Sequence, residues 1–369
     1  MKMIYELDQK NYEKVRPLFK EWKNTAIHSA IDKNTFGKIY VDNPEHPQTA
    51  LAWGAPDMFF LAGDTDNEDF NKSLDTFISK KIAPEALERG LTYFAVQVFP
   101  VEKWEYTIKD LLKDRYPKVN YEWTSVFNKE KYTIQHWKIP PGFSIEQISK
   151  ELLKKVNSER DVERIKRYWG TIDTFLEKGF GFYVVKGDKI ITSCISCYVS
   201  KNEYEIGIIT YNSEDRNKGF ATATAQAFVD FCVLHNLTPV WRADMVNPAS
   251  ITVAERVGFE KVTEYPDYYF YFDELDNLVF NGCYHVREKE LSKAEEFFEK
   301  AFKSGELNAN HYYKMACAWA SVGETDTALK YLKEAVDKGF SDVKRLTKEI
   351  DLKGLQGTKG WEELVKRIG

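Results

Sequence analysis

The chain has 369 residues, 43% apolar and 30% charged, with 52 Lys and Arg against 57 Asp and Glu. At roughly 150 residues per domain, two or three domains are expected, with a core that needs no disulfides or structural metal. The net charge of -5 gives no footprint for duplex nucleic acid, and no uncharged run approaches the ~18 apolar residues of a membrane span.

The start, Met1-Lys2-Met3-Ile4-Tyr5-Glu6, lacks the apolar core of a signal peptide. The five cysteines are thinly spread, so a reducing, cytoplasmic setting without disulfides is expected. Region 1–139 reads as mixed α/β. Tyr12–Trp22 is expected to be a helix. Thr49–Trp53, Met58–Ala62, Thr92–Phe99 and Trp123–Phe127 are expected to be strands. No chemical motif stands out there. Pro140-Pro141-Gly142 is the strongest turn signal and marks a boundary.

Region 143–272 opens with two expected helices. Ser144 and Gln147 suggest a capping box, followed by an apolar stripe at Ile145, Ile148, Leu152 and Val156. A second stripe runs through Val162, Ile165, Trp169, Ile172 and Leu176 and ends at Gly179. Strands follow over Phe180–Val185, Lys189–Val199 and Tyr204–Tyr211, the first two joined by a Gly187-Asp188 hairpin turn. Cys194 and Cys197 fall inside a strand. Residues three apart there face opposite sides, so packed thiols are expected rather than a metal or redox pair. The six histidines (28, 46, 136, 235, 285, 311) form no ligand cluster, and no metal is expected.

The chemistry-bearing segment is Tyr211-Asn212-Ser213-Glu214-Asp215-Arg216-Asn217-Lys218-Gly219-Phe220-Ala221-Thr222. An apolar face at Thr224, Ala227, Phe228 and Phe231 follows, so the order is strand, basic Gly-containing turn, helix. Such a turn offers free backbone N–H groups and a positive helix end to an anion. Gly219 lets the backbone approach closely. Arg216 and Lys218 add positive charge suited to phosphate. Pro239–Val246 reads as the next strand. Asn247-Pro248-Ala249-Ser250 then opens a helix, with Asn247 as N-cap and Pro248 in its first turn. That helix ends at Gly258-Phe259.

Strand alternation puts Glu203, Glu205, Gly207, Ile209 and Tyr211 on one face. Glu205 is the first candidate for a general base and Glu203 the second, against a reading of both as solvated sheet charges. Asp244 shares a face with Arg242. It could bind an acceptor ammonium or simply pair with that arginine.

Arg216-x-x-Gly219-x-Ala221 resembles the Arg/Gln-x-x-Gly-x-Gly/Ala signature of the GNAT acetyltransferase superfamily. Asn247, Ser250, Ala254 and Gly258-Phe259 stand at the spacing of its second signature. Glu205-Ile206-Gly207-Ile208-Ile209-Thr210 further resembles the bacillus-type group that includes the zwittermicin A resistance acetyltransferase. The resemblance implies an α+β fold, a mixed sheet flanked by helices over 143–272. The 1–139 region is then expected to be a degenerate GNAT-like half that shapes the acceptor pocket. It also implies acetyl-CoA as co-substrate, without metal. Cofactor contacts would come from Ile209, Thr210 and Tyr211, from Arg216, Asn217, Lys218, Gly219, Phe220, Ala221 and Thr222, and from Asn247 and Ser250. The expected reaction is direct acetyl transfer to a small-molecule amine. One departure concerns the leaving thiolate. Many members place a Tyr four residues before the Gly-Phe, where this chain has Ala254. A Tyr at 265, 268 or 269 could substitute. The alternative reading is a CoA-binding scaffold that acts through protein partners.

The last region, 277–369, is expected to be helical. Ala294 to Ala328, Ala301 to Ala335 and Gly305 to Gly339 are each 34 residues apart. With Ala316 and Trp319 on the helix between, this resembles the tetratricopeptide repeat. The resemblance implies stacked helical hairpins that either cap the protein or bind a protein partner.

Overall fold

The computed structural model describes residues 3–54, 56–130, 132–133 and 139–368. His136 lies outside them. The chain divides into two compact units. The first comprises Met1–Pro84, Phe94–Lys113 and Pro117–Tyr269, and the second Glu85–Tyr93, Asp114–Tyr116 and Phe270–Gly369.

The first unit is α+β. Its earlier strands are β1 (Tyr5–Glu6), β2 (Gly37–Val41), β3 (Thr49–Gly54), β4 (Met58–Gly63), β5 (Tyr93–Phe99) and β6 (Lys118–Phe127). Its later strands are β7 (Ser144–Gln147), β8 (Gly181–Lys186), β9 (Lys189–Ser200), β10 (Glu203–Thr210), β11 (Thr238–Val240), β12 (Arg242–Asp244) and β13 (Phe259–Tyr271). They form two mixed sheets. One has eight strands in the order β1-β2-β3-β4-β5-β13-β6-β12, and the other five in the order β11-β10-β9-β8-β7. The central strands are apolar on both faces because both faces are covered. All of β3 is buried, and so is β9 from Ile190 onward.

The strand order interlocks the earlier and later parts of the chain. β13 lies between β5 and β6, and β12 pairs with β6. The expected single strand 239–246 is in fact two. Trp241, 1% exposed, turns its indole against Phe259 at 5.6 Å between ring centres. The residues before it join one sheet and those after it the other. β10 therefore pairs in parallel with β11 only at Glu203↔Thr238, Tyr204↔Pro239 and Glu205↔Val240. Beyond Glu205 that side of β10 is open, while the other side stays paired with β9 as far as Thr210.

Other boundaries also differ from expectation. Ser144–Gln147 is strand β7, because Ile145 pairs opposite Val184. The helix begins at Lys150, with Ser149 accepting from the Leu152 N–H at 3.1 Å. The long second stripe is two helices, Glu159–Trp169 and Ile172–Lys178. Gly170, at φ 73°, breaks it, and Thr171 caps the second piece. The expected Tyr12–Trp22 helix is a 3₁₀ turn, Gln9–Val15, followed by the helix Arg16–Phe19. β2 carries a Lys within its apolar run and is missed by the pattern.

The second unit holds the helices Glu274–Arg287, Leu291–Ser304, Ala309–Ser321, Thr325–Asp337, Val343–Lys348 and Lys359–Ile368. The first two pack as one pair and the next two as another. Ala294, Ala301, Ala316, Ala328 and Ala335 are fully buried where the helices cross. Gly282 serves the same purpose, since a Cβ there would lie 2.3 Å from the Phe298 ring.

Candidate active site

The turn after β10 and the helix after β12 enclose one groove of ≈ 740 Å³. Ile209, Thr210, Arg216, Asn217, Gly219, Phe220, Ala221, Thr222, Asn247 and Ser250 all line it. Two of the expected contact residues do not. The Tyr211 hydroxyl donates to buried Asp161, and Lys218 reaches back to Asp215 at 3.4 Å.

The groove's floor is the start of the helix Phe220–Leu234. Gly219 sits before it at φ 81°, left-handed, and no side chain caps the helix. The first-turn N–H groups therefore keep their donor capacity for a ligand. A Cβ on Gly219 would meet nothing within 4 Å, so the space beside the backbone is open. Opposite, the Asn247 side chain accepts from the Ser250 N–H at 3.2 Å, and the Ser250 hydroxyl accepts from Trp241 Nε1 at 3.1 Å. Ala254, in place of the expected Tyr, is fully buried. Tyr268 is buried as well, and Tyr265 packs against Trp22 at 6.1 Å.

At the far end of β10's open edge lies Glu205, 8% exposed. Its Oε2 has no hydrogen-bond partner. Burial pushes its carboxyl up to about 7; Arg242 pulls down, while Glu122 and Glu203 push further up. Glu203 is half-buried and accepts from the Thr25 hydroxyl at 3.4 Å. Asp244 does not pair with Arg242. It is exposed and accepts from Asn120 Nδ2 at 3.0 Å.

Arg242 pairs instead with Glu122, donating through Nε at 2.9 Å and also through Nη2. Burial opposes the arginine's charge, yet Glu122 and Glu205 hold it above its ordinary value. Gln97, 1% exposed, donates to Glu122 at 2.8 Å and accepts from Arg242 and from Asn24, both at 3.3 Å. Asp267 adds a further carboxyl. Burial, then Glu122, Asp244 and Asp57, push it up to about 8 against the pull of Arg242.

Sequence reasoning missed Asn24, Gln97, Glu122 and Asp267. Asp267 left one trace, a lone charge in the aromatic run Tyr265-Pro266-Asp267-Tyr268-Tyr269. It also missed Asp161 and Arg164. Asp161, 1% exposed, accepts from Tyr183 and Tyr211. Burial and Asp161 hold both phenols well above the usual range, so they remain donors. Arg164 donates to the Gly207 carbonyl at 2.7 Å, to Ser193 at 2.9 Å and to Asp161 at 3.1 Å, tying β10 to the helix Glu159–Trp169. Cys194 and Cys197 are separate buried thiols in different core clusters. Burial pushes Cys197 up to about 11. Among the described residues no group of three His, Cys, Asp or Glu side chains is placed to hold a metal, and no helix is long and apolar enough to cross a membrane.

Known proteins align with this architecture. The chain is 27% identical over 271 residues to an uncharacterized N-acetyltransferase, YdfB, of Bacillus subtilis (strain 168), covering 73% of this chain and 99% of that one. In structure it is similar to a GCN5-related N-acetyltransferase-like protein from Streptococcus suis 89/1591. The TM-score is 0.54 and the identity 21%, over 71% of this chain and 98% of that one. The family model described as GNAT acetyltransferase matches residues 16–268, more than half of the sequence. By that match the chain belongs to the GNAT acetyltransferase family.

Proposed function

We propose that the first unit transfers the acetyl group of acetyl-CoA directly to an amine of a small molecule. The observation that carries this reading is the single groove joining the Gly219 turn, the open edge of β10 and the Asn247–Ser250 helix start. Phosphate oxygens would be held by the first-turn N–H groups and by Arg216. The pantetheine arm would run past Ile209 and Thr210 towards Asn247 and Ser250.

Glu205 then takes a proton from the acceptor ammonium. A carboxyl near pH 7 suits this task, being ionised in part and basic enough to accept. The freed amine attacks the thioester carbon. Backbone N–H groups on β10's open side are the available donors for the developing oxyanion. The C–S bond breaks as the C–N bond forms, and the departing thiolate takes up the proton that the attacking nitrogen sheds on becoming an amide. In this reading 143–272 carries the chemistry, and 1–139 supplies the acceptor side through Asn24, Gln97 and Glu122. Glu203 and Asp244 serve the acceptor from the rim. The 277–369 region is read as tetratricopeptide-like hairpins suited to a protein partner.

The test is calorimetric titration with acetyl-CoA, wild type beside Gly219→Glu. A Glu at φ 81° is strained and brings negative charge to the phosphate turn. The expected outcome is saturable wild-type binding and at least a hundredfold loss, on the order of 3 kcal/mol, in a folded variant. Equal affinities would remove the phosphate assignment. A second reading, a CoA-binding scaffold without turnover, draws support from the buried Ala254. Acetyl-CoA binding with no thiol release across an amine panel would favour it.

A further inference from the structure

β13, β6 and β12 lie side by side, with Tyr265 opposite Glu122, Asp267 opposite Asn120, and Glu122 opposite Asp244. Residues two apart on a strand share a face. Asp267, Glu122 and Asp244 therefore project from one side of the sheet, together with Arg242 and Tyr265. Asp57 bears on the same place electrostatically. The face carries the Arg242 guanidinium, which Glu122 already holds, and by the same alternation Lys118, opposite Tyr269.

Three buried polar atoms here have no partner: Glu205 Oε2, Asp267 Oδ1 and Arg242 Nη1. Glu205 is 8% exposed, and the Arg242 side chain 6%. Leaving such atoms unmatched is costly. Glu205 and Asp267 both lie within electrostatic reach of the Glu122–Arg242 pair. Tyr265 lies 6.1 Å from Trp22, which stacks on Phe99 at 5.3 Å, so an aromatic wall adjoins the carboxyls. Ammonium groups bring three donors each and are attracted to aromatic faces. A ligand hydroxyl would answer the Arg242 donor.

We infer that the acceptor is a small hydroxylated diamine, whose second ammonium is held by Asp267 and Asp244 beside Tyr265 while the first meets Glu205. The role of Glu205 rests on the acetyl-transfer reading. The cation site does not. Burial, then Glu122, Asp244 and Asp57, push Asp267 up to about 8 against the pull of Arg242, so it holds a proton more tightly than an ordinary carboxyl. A cation arriving beside it favours the carboxylate, so binding releases protons.

The experiment titrates the full chain calorimetrically with 1,3-diamino-2-propanol and with 1-amino-2-propanol, in two buffers of different ionisation enthalpy. Wild type, Asp267→Asn and Asp244→Asn are compared, and thiol release from acetyl-CoA is followed with the same amines. Wild type is expected to bind the diamine at least about tenfold more tightly than the monoamine, with proton release. Asp267→Asn should reduce this advantage to about twofold or less, and the exposed Asp244→Asn by about threefold. Equal affinities for the two amines overturn the site, as does an advantage unchanged in both variants. Absence of diamine binding overturns it too. Selective diamine binding without thiol release would leave the site standing and sink acetyl transfer. Thiol release at equal kcat/KM for both amines would do the reverse.

Discussion

Glu205 concentrates the physical argument at the level of a single side chain. A carboxyl buried with one orphan oxygen is held up to about 7, against an ordinary value of 4.5. The folded form therefore binds a proton more tightly than the unfolded chain. Its contribution to stability is complete below the unfolded value and is lost as pH rises through about 7. In the proposed reaction the same titration would supply the base. kcat/KM is expected to rise with pH across that window and then level off. Glu205→Gln should lower kcat by about a hundredfold or more and flatten this limb, while acetyl-CoA affinity holds. It should also raise the melting temperature at pH 8, because no charge is buried there. A variant that keeps full activity across pH would move the base to another group. At this scale the sequence is legible where partners are near neighbours, as at Asn247 with Ser250 or Arg216 with Gly219. It is silent where they are remote. Arg242 finds Glu122 across 120 residues of chain, and Asn24 finds Gln97 across 73. The local pattern placed Asp244, two residues away on the same face, as the candidate partner, but Asp244 looks outward to Asn120.

Between single residues and the whole chain stands β10, which one turn and one strand break convert into the candidate site. Its alternation is readable from sequence, since every second residue from Glu203 to Tyr211 shares a face. The wedge beside it is not. It depends on Trp241 dividing an apparently continuous strand, and Trp in an apolar run gives no sign of division. β10 is held by Arg164 and by close packing at Gly207, where a Cβ would lie 2.0 Å from Cys197 Sγ. Cys197 sits at a register shift of β9 opposite the Glu205–Ile206 step, which brings its sulfur against this glycine. Gly207→Ala is expected to cost about 1–3 kcal/mol by overpacking, read as a fall in denaturant midpoint. Adding Cys197→Ala should return part of that loss, the signature of coupled neighbours. Strict additivity of the two substitutions would show that the sulfur is not what the methyl meets.

Over the whole molecule, the sheet order sets the folding unit of the catalytic part. Composition and turn signals divide the chain near Pro140-Pro141-Gly142, and most strands on either side are legible from their apolar runs. Which strand lies beside which is not, because pairing is non-local and every apolar strand offers the same edge. In the structure β6, from before that turn, lies between β13 and β12, from after it. β6 contributes Glu122 to the buried polar cluster and Trp123, 2% exposed, to the core shared with Trp241 and Phe259. A fragment spanning 143–272 would expose both sides of β12 and both sides of β13, whose neighbours β5 and β6 lie outside it. Open edges of this kind promote association, and Arg242 would lose its carboxylate, which for a buried pair costs about 3–5 kcal/mol. The fragment is therefore expected to be aggregated or unfolded when produced alone, and soluble when co-expressed with residues 1–139. Sedimentation and circular dichroism of the fragment, with and without that companion, make the comparison. A monomeric, cooperatively folding 143–272 fragment would show that the exchanged strands are dispensable. Failure without the companion and rescue with it would mean that the second set of strands cannot build an acetyl-transfer site until the first has supplied β6.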